Sequence, residues 1–167
     1  MLTRTRSQRS SVPTDVVGPD SVLVRELTKA YWHELESVTN HLASSTNRVG
    51  VGAEQIADSI RQVIAADLKH AQQAAIRIGQ LHGAPPSTDE FAARKLHVRP
   101  PAEPLDGVSA LTSLIEAETT AIARYRRIAA LAPEAYDSVT HALANQIVRE
   151  KQIHHESLAS FLASSFG

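Results

Sequence analysis

Six acid and imidazole side chains stand at helical positions where apolar residues are expected. Glu34 lies four residues beyond Ala30 and four before Val38. Asp67 interrupts the series Ile60, Val63, Ala71, Ala74, and His70 follows it by three, on the same side of a helix. Glu118 falls between Leu111, Leu114 or Ile115 and Ile122, Tyr125. His154 is seven beyond Ile147 and four before Leu158, with Glu150 one turn earlier. A carboxylate buried without a partner is destabilising or becomes protonated, and several together repel one another. A pair of divalent cations would remove that conflict. Carboxylate oxygen and imidazole nitrogen suit iron or manganese, and a chain with no cysteine cannot build a zinc-thiolate or iron–sulfur site.

Four long amphipathic segments must carry these groups. The first is expected from Ser21 to about Asn47, with Leu23, Leu27, Ala30, Tyr31, Val38 and Leu42 at three- and four-residue spacing. Gly50 and Gly52 turn the chain into a second helix, about Ala53 to Leu81, ending at His82-Gly83 before Pro85-Pro86. A third runs from near Asp106 to about Leu131. The fourth begins around Pro133 and carries Val139, Leu143, Ile147, Ile153, Leu158 and Phe161. Helices of this length are about 40 Å long and cannot bury an apolar stripe alone, so an all-α four-helix bundle follows. Residues 84–105 are proline-rich, with one short helical candidate where Ser87 and Glu90 have capping-box spacing. So long a connection can reach about 70 Å, enough to run the length of a bundle and join the second and third helices in parallel. A long loop in an up-down-up-down bundle would leave the same trace.

Composition agrees and excludes alternatives. The chain has 167 residues and 18.1 kDa, 43% apolar and 4% aromatic, with 25 alanines, as expected of one compact helical domain. Seventeen basic against 18 acidic side chains argue against a polycation built for nucleic acid. No apolar run approaches the roughly 20 residues of a membrane span and no secretory stretch opens the chain, which points to a cytoplasmic protein. Residues 1–20 read as a flexible arm containing Arg4, Arg6 and Arg9, and 21–167 as the bundle.

These residues make the chain resemble the ferritin-like superfamily over about residues 21–163, most closely its bacterioferritin-type and Dps-like non-haem diiron members. The family pattern is a glutamate on the first helix, Glu-x-x-His on the second, a glutamate on the third and Glu-x-x-His on the fourth. Glu34 in WHELES, Asp67 and His70 in AADLKHA, Glu118 in IEAETTAIARYRR and His154 in REKQIHHESL fill those positions. The resemblance implies a ferritin-like bundle with a long crossover between its second and third helices. It further implies a dinuclear non-haem iron site, with manganese as alternative, that oxidises Fe(II) with dioxygen or peroxide, for iron storage or protection from oxidative stress. Tyr125 would order a ligand or donate an electron, and Tyr31 beside Glu34 is an equivalent candidate or a packing residue. Haem is not expected, because Leu68 replaces the methionine that binds it in some relatives and Met1 is the only methionine.

The sequence departs from the pattern twice. Asp67 replaces a longer glutamate, and Lys151 stands where the fourth helix should carry its glutamate. Two readings follow. Glu150 takes over through a small helix rotation, completing a metal set of Glu34, Asp67, His70, Glu118, Glu150 and His154. Alternatively Lys151 pairs with Glu34 or Glu118, giving a metal-free core held by ions and a structural or interaction protein. Self-association is expected in either case, as a dimer or a dodecameric cage, with Trp32 and small side chains offering a second contact face. A DNA-associated cage rests on Arg4, Arg6 and Arg9 alone, offset by Asp15 and Asp20. His41, two turns beyond Glu34, reads as a partly exposed core-edge histidine or as a residue that guides incoming iron, His155 as outward-facing, and His33, His82, His97 and His141 as unconnected to the site.

Overall fold

The computed structural model describes residues 18–46, 52–87, 89, 101–103 and 106–166. The expected arm lies almost entirely outside these residues, as does most of the 84–105 connection with its short helical candidate. Among the described residues four long helices form: α1 Val22–His41, α2 Ala53–Gln80, α3 Gly107–Leu131 and α4 Ser138–Phe166, with a 3-10 turn Ser44–Thr46 after α1. The described residues contain no strand. No described helix is long and apolar enough to cross a membrane.

Local chemistry fixes the helix ends. The Ser21 hydroxyl accepts from the Val24 N–H at 3.2 Å, and the Asp106 carboxylate accepts from the Ser109 N–H at 2.7 Å. At the end of α2, Gly83 N–H donates to the Ile78 carbonyl and His82 N–H to that of Gly79, with His82 at φ 62°. This is a Schellman cap with histidine in the left-handed position usually given to glycine. The same bonding recurs after α3, where Asp137 N–H reaches the Ala132 carbonyl, Tyr136 N–H reaches that of Pro133, and Tyr136 has φ 54°. Pro133 therefore belongs to the turn that ends α3. The fourth helix starts five residues later than expected, at Ser138, because Asp137 caps it: its carboxylate accepts from the Thr140 N–H at 2.9 Å.

Two apolar clusters give the helix directions. One joins the start of α1 (Leu23, Leu27), the end of α2 (Ile78, Leu81), the end of α3 (Tyr125, Ile128) and the start of α4 (Ala144, Ile147). The other joins the start of α2 (Ile56, Ile60), the start of α3 (Leu111, Leu114) and the end of α4 (Leu158), with Val38 from the end of α1 packed against it. Hence α1 and α2 are antiparallel, α3 and α4 are antiparallel, and α2 and α3 run in parallel, the relation that the expected crossover requires.

Three apolar residues assigned to the stripes are exposed: Leu42 beyond the end of α1, Val139 in the first turn of α4 and Ile153 on its outer side. The buried side of α4 is instead Thr140, Ala144, Ile147, Lys151 and Leu158, and spacing from Ile147 puts Lys151 at its centre. Trp32 is buried and packs edge-to-face on Tyr31 at 5.2 Å, so it offers no exposed contact face.

Candidate functional site

The layer between the two apolar clusters is polar, and every helix contributes to it. Glu34 on α1, Asp67 on α2 and Glu118 on α3 are fully buried, as is Lys151 on α4 at 1% exposure. The Lys151 Nζ lies 2.7 Å from Asp67 Oδ1, 2.9 Å from Glu34 Oε2 and 3.0 Å from Glu118 Oε1. One ammonium thus occupies the point on which three carboxylates converge, and it donates hydrogen bonds to Asp67 and Glu118.

One positive charge cannot balance three negative ones in a low-dielectric interior, and the proton affinities show how the difference is met. Burial raises the Glu34 carboxyl well above its ordinary range, the Lys151 ammonium opposing and Asp67 adding to the rise. Burial likewise lifts Glu118 to about 7 against the pull of Lys151. At Asp67 burial acts upward too, but the ammonium and its hydrogen bond prevail and the carboxyl falls below its usual value. Lys151 is driven up, its own desolvation outweighed by the three acids. The core is therefore an Asp67–Lys151 ion pair flanked by two carboxyls that retain protons far more readily than free ones.

The remaining candidates sit around this centre. His70 is buried, and its Nε2 is 2.9 Å from Glu150 Oε2. Glu150, 29% exposed, is also engaged by Lys69 at 3.2 Å and by the Gln146 amide at 2.8 Å, and the His70 hydrogen bond heads the causes that hold its carboxyl down at about 2. It is tied to the flank of the bundle and does not reach the converging carboxylates. His154 is 26% exposed, with Nδ1 3.9 Å from Glu118 Oε2. Burial lowers both imidazoles, and the Lys151 charge lowers them further. Tyr125 is fully buried, and burial, then the neighbouring Glu34, push its hydroxyl upward.

Two further histidines belong to the same interior: His33, expected to be unconnected to the site, and His41, expected at the core's edge and found deeper than that. His33 is buried with Nε2 3.0 Å from the Ala117 carbonyl, and desolvation lowers it to about 4. His41 is wholly buried, its Nδ1 2.8 Å from the Ser37 carbonyl and its Nε2 3.1 Å from Ser113 Oγ. No motif spacing marks His33, whereas His41 lies two helical turns beyond Glu34. The available signal was that polar α1 residues 33, 34, 37 and 41 recur at near-helical spacing on one side.

The donor set can be tested against a metal pair directly. Glu34, Asp67 and His70 offer ligand atoms within 4.8 Å of one another. A protonated amine, however, cannot ligate, and a dication about 4 Å from the Lys151 ammonium meets roughly 8 kcal/mol of repulsion at an effective dielectric of about 20. With Glu150 held elsewhere, the residues present do not fit a dinuclear centre.

Comparison with known proteins accords with the fold. The ferritin-like domain family matches residues 24–164, and the chain belongs to it. Among solved structures it is similar to a Bacteroides fragilis bacterioferritin-related protein described as a dodecameric thioferritin (24% identity, 85% of this chain and 84% of that one, TM-score 0.77). A Vibrio cholerae DPS protein, described as a member of a broad superfamily of ferritin-like diiron-carboxylate proteins, superposes with 20% identity over 84% and 88% of the chains, TM-score 0.77. A Rhodobacter capsulatus bacterioferritin follows at 18% identity, 87% and 86% coverage and TM-score 0.74. No curated protein matches.

Proposed function

We propose that this chain is a self-associating structural subunit of the ferritin-like family in which the Lys151 ammonium takes the place of the dinuclear metal centre. The observation that carries the reading is the convergence of Glu34, Asp67 and Glu118 on one Nζ at 2.7–3.0 Å. The ammonium meets the electrostatic need that a metal pair meets in the family pattern, and the charge is covalently fixed, so it cannot exchange with solution. Self-association is supported by the dodecameric state stated for the Bacteroides fragilis protein.

A second reading, a ferroxidase oxidising Fe(II), is favoured by the proximity of Glu34, Asp67 and His70. It requires Lys151 to leave the centre and Glu150 to leave His70. Anaerobic Fe(II) incubation, desalting and elemental analysis separate the two. Wild type is expected to hold fewer than about one iron per two chains and, when dioxygen is then admitted, to oxidise Fe(II) no faster than background, whereas Lys151→Glu restores a family-type pair and gains metal that Glu118→Ala then removes. Stoichiometric iron in wild type, lost on Glu118→Ala, would overturn the structural reading in favour of the ferroxidase. Light scattering that finds only an 18.1 kDa species across micromolar concentrations would overturn self-association.

A further inference from the structure

Away from the central layer, α3 and α4 border a groove of about 320 Å³ that opens to solvent. Its wall from α3 is Thr119, Ile122, Ala123 and Arg126, whose spacing puts them on one face of the helix. The wall from α4 is Gln152, His155 and Glu156. Ile122 is buried and Ala123 is exposed beside it, so a small apolar floor lies between polar rims. His155, expected to face outward, is half-buried here. The volume is at the small end of the roughly 300–1,000 Å³ that small-molecule sites occupy, and an apolar floor with a few placed polar groups is their usual composition.

The polar groups of this groove are uncommitted. Elsewhere on the bundle Lys29 is held by Glu26 at 2.8 Å and Lys69 by Glu150 at 3.2 Å. Among the described residues, Arg126, Gln152, His155 and Glu156 make no side-chain hydrogen bond or ion pair. The two charges also enter from opposite ends. His154 Nδ1 lies 3.9 Å from Glu118 Oε2, which sets those residues level, so in the antiparallel pair Glu156 is level with about Glu116. Arg126 stands further along α3 by about 15 Å at 1.5 Å per residue. Helical side chains lean toward the N-terminus of their own helix, so Arg126 and Glu156 lean toward one another over Ile122 and Gln152 without pairing.

We propose that the groove binds a small zwitterion of the amino-acid type, its carboxylate on Arg126, its ammonium on Glu156 and an aliphatic side chain on Ile122 and Ala123. A guanidinium presents paired N–H donors that match a carboxylate, and an ionised Glu156 is acceptor-only, which matches an ammonium. A simple anion in this groove would be repelled by Glu156, and a simple cation by Arg126. A ligand carrying both charges satisfies both ends at once. The Gln152 amide and the His155 ring, set between them, supply further hydrogen bonds, and Thr119 Oγ1, which donates to the Ile115 carbonyl at 2.9 Å, keeps a lone pair to accept one. The site is separate from the Lys151 centre and needs neither a metal nor a second copy of the chain.

Saturation-transfer NMR with free leucine reads the ligand whatever the size of the assembly. Wild type is expected to bind leucine saturably with a dissociation constant of about 1 mM. Leucinamide, which lacks the carboxylate, and N-acetylleucine, which lacks the ammonium, should each bind about tenfold more weakly. Arg126→Gln should weaken leucine to the level of leucinamide, and Glu156→Gln should weaken it to the level of N-acetylleucine. Ala123→Leu fills the groove while keeping both charges and should abolish the signal. Residues 123, 126 and 156 are exposed, so the helical circular dichroism of all three variants should match wild type. No saturable signal from wild type up to about 20 mM leucine overturns the proposal, including where a second copy of the chain closes the groove. So does equal binding of leucine and its two blocked forms, or leucine binding that survives Ala123→Leu.

Discussion

Replacing Lys151 by methionine keeps the unbranched stem and removes the charge. In the wild type the ammonium lies 2.7 Å from Asp67 Oδ1, and both side chains are at most 1% exposed. Glu34 and Glu118 already take up protons readily, so the deficit falls on Asp67, left as a buried carboxylate with no cation. Removing one partner of a buried pair costs about 3–5 kcal/mol. That is a large share of a stability of about 5–15 kcal/mol, and at about 2–4 °C per kcal/mol for a chain of this size the melting temperature should fall by about 6–20 °C. Asp67→Asn in the Lys151→Met background should recover most of the loss, because the orphaned charge is then gone, whereas Asp67→Asn alone should be destabilising. Urea and thermal unfolding followed by circular dichroism at neutral pH give all four corners of the cycle. A loss under about 1 kcal/mol for Lys151→Met, or costs that simply add in the double variant, would refute the account of the core as an ion pair.

Further outcomes follow from other contacts. A Glu118 carboxyl at about 7 in the folded protein, against 4.5 ordinarily, holds a proton that the unfolded chain loses, so its burial costs progressively more stability as pH rises through that window. Glu118→Gln should therefore improve relative to wild type by about 3 kcal/mol between pH 4.5 and above 7, as read by urea midpoints; an unchanged difference would contradict it. Asp137 caps α4 and pairs with Arg77 at 2.7 Å; burial opposes, but Arg77 and Thr140 hold its carboxyl below the ordinary 3.8. Asp137→Ala should cost about 1–3 kcal/mol at pH 7, and less as pH falls below the ordinary carboxyl range and the wild-type acid protonates. His82→Gly should stabilise by about 0.5–1 kcal/mol in thermal unfolding, since it relieves a left-handed residue. Gly83→Ala should destabilise by about 1–3 kcal/mol, because its β-carbon would stand 2.8 Å from Val24 Cγ1 and 2.9 Å from Ile78 Cγ2.

The polar layer was legible because three of its acids interrupt otherwise regular apolar stripes, and a residue amid such a stripe has nowhere to go but inward. Asp67 and Glu118 were placed by that argument alone. The direction of the crossover was open between two topologies until the clusters at the bundle's ends resolved it. Lys151 was visible as a departure from a pattern, but helical spacing says only that a side chain points inward. It does not say whether a flexible four-carbon stem ends among carboxylates or snorkels past them. His33 was set aside because α1 is buried well beyond one narrow stripe: Trp32, His33, Glu34, Glu36 and Ser37 are nearly consecutive and all inaccessible. Amphipathic periodicity loses its contrast on such a helix. Leu42, Val139 and Ile153 failed for the opposite reason, since an aliphatic residue near a helix end or on its outer flank satisfies the spacing without being covered.

The crossover also orders events in time. Each antiparallel pair, α1 with α2 and α3 with α4, joins helices close in sequence, whereas Lys151 and Asp67 are 84 residues apart and Lys151 must also reach Glu34 across the bundle. Contacts between near neighbours close small loops and form early; those spanning the two hairpins require docking along the whole length of the bundle. The charge at the centre is thus satisfied only when the two halves meet. Lys151 should govern how slowly the folded chain comes apart more than how fast it forms, which makes the ion cluster a lock on the assembled bundle.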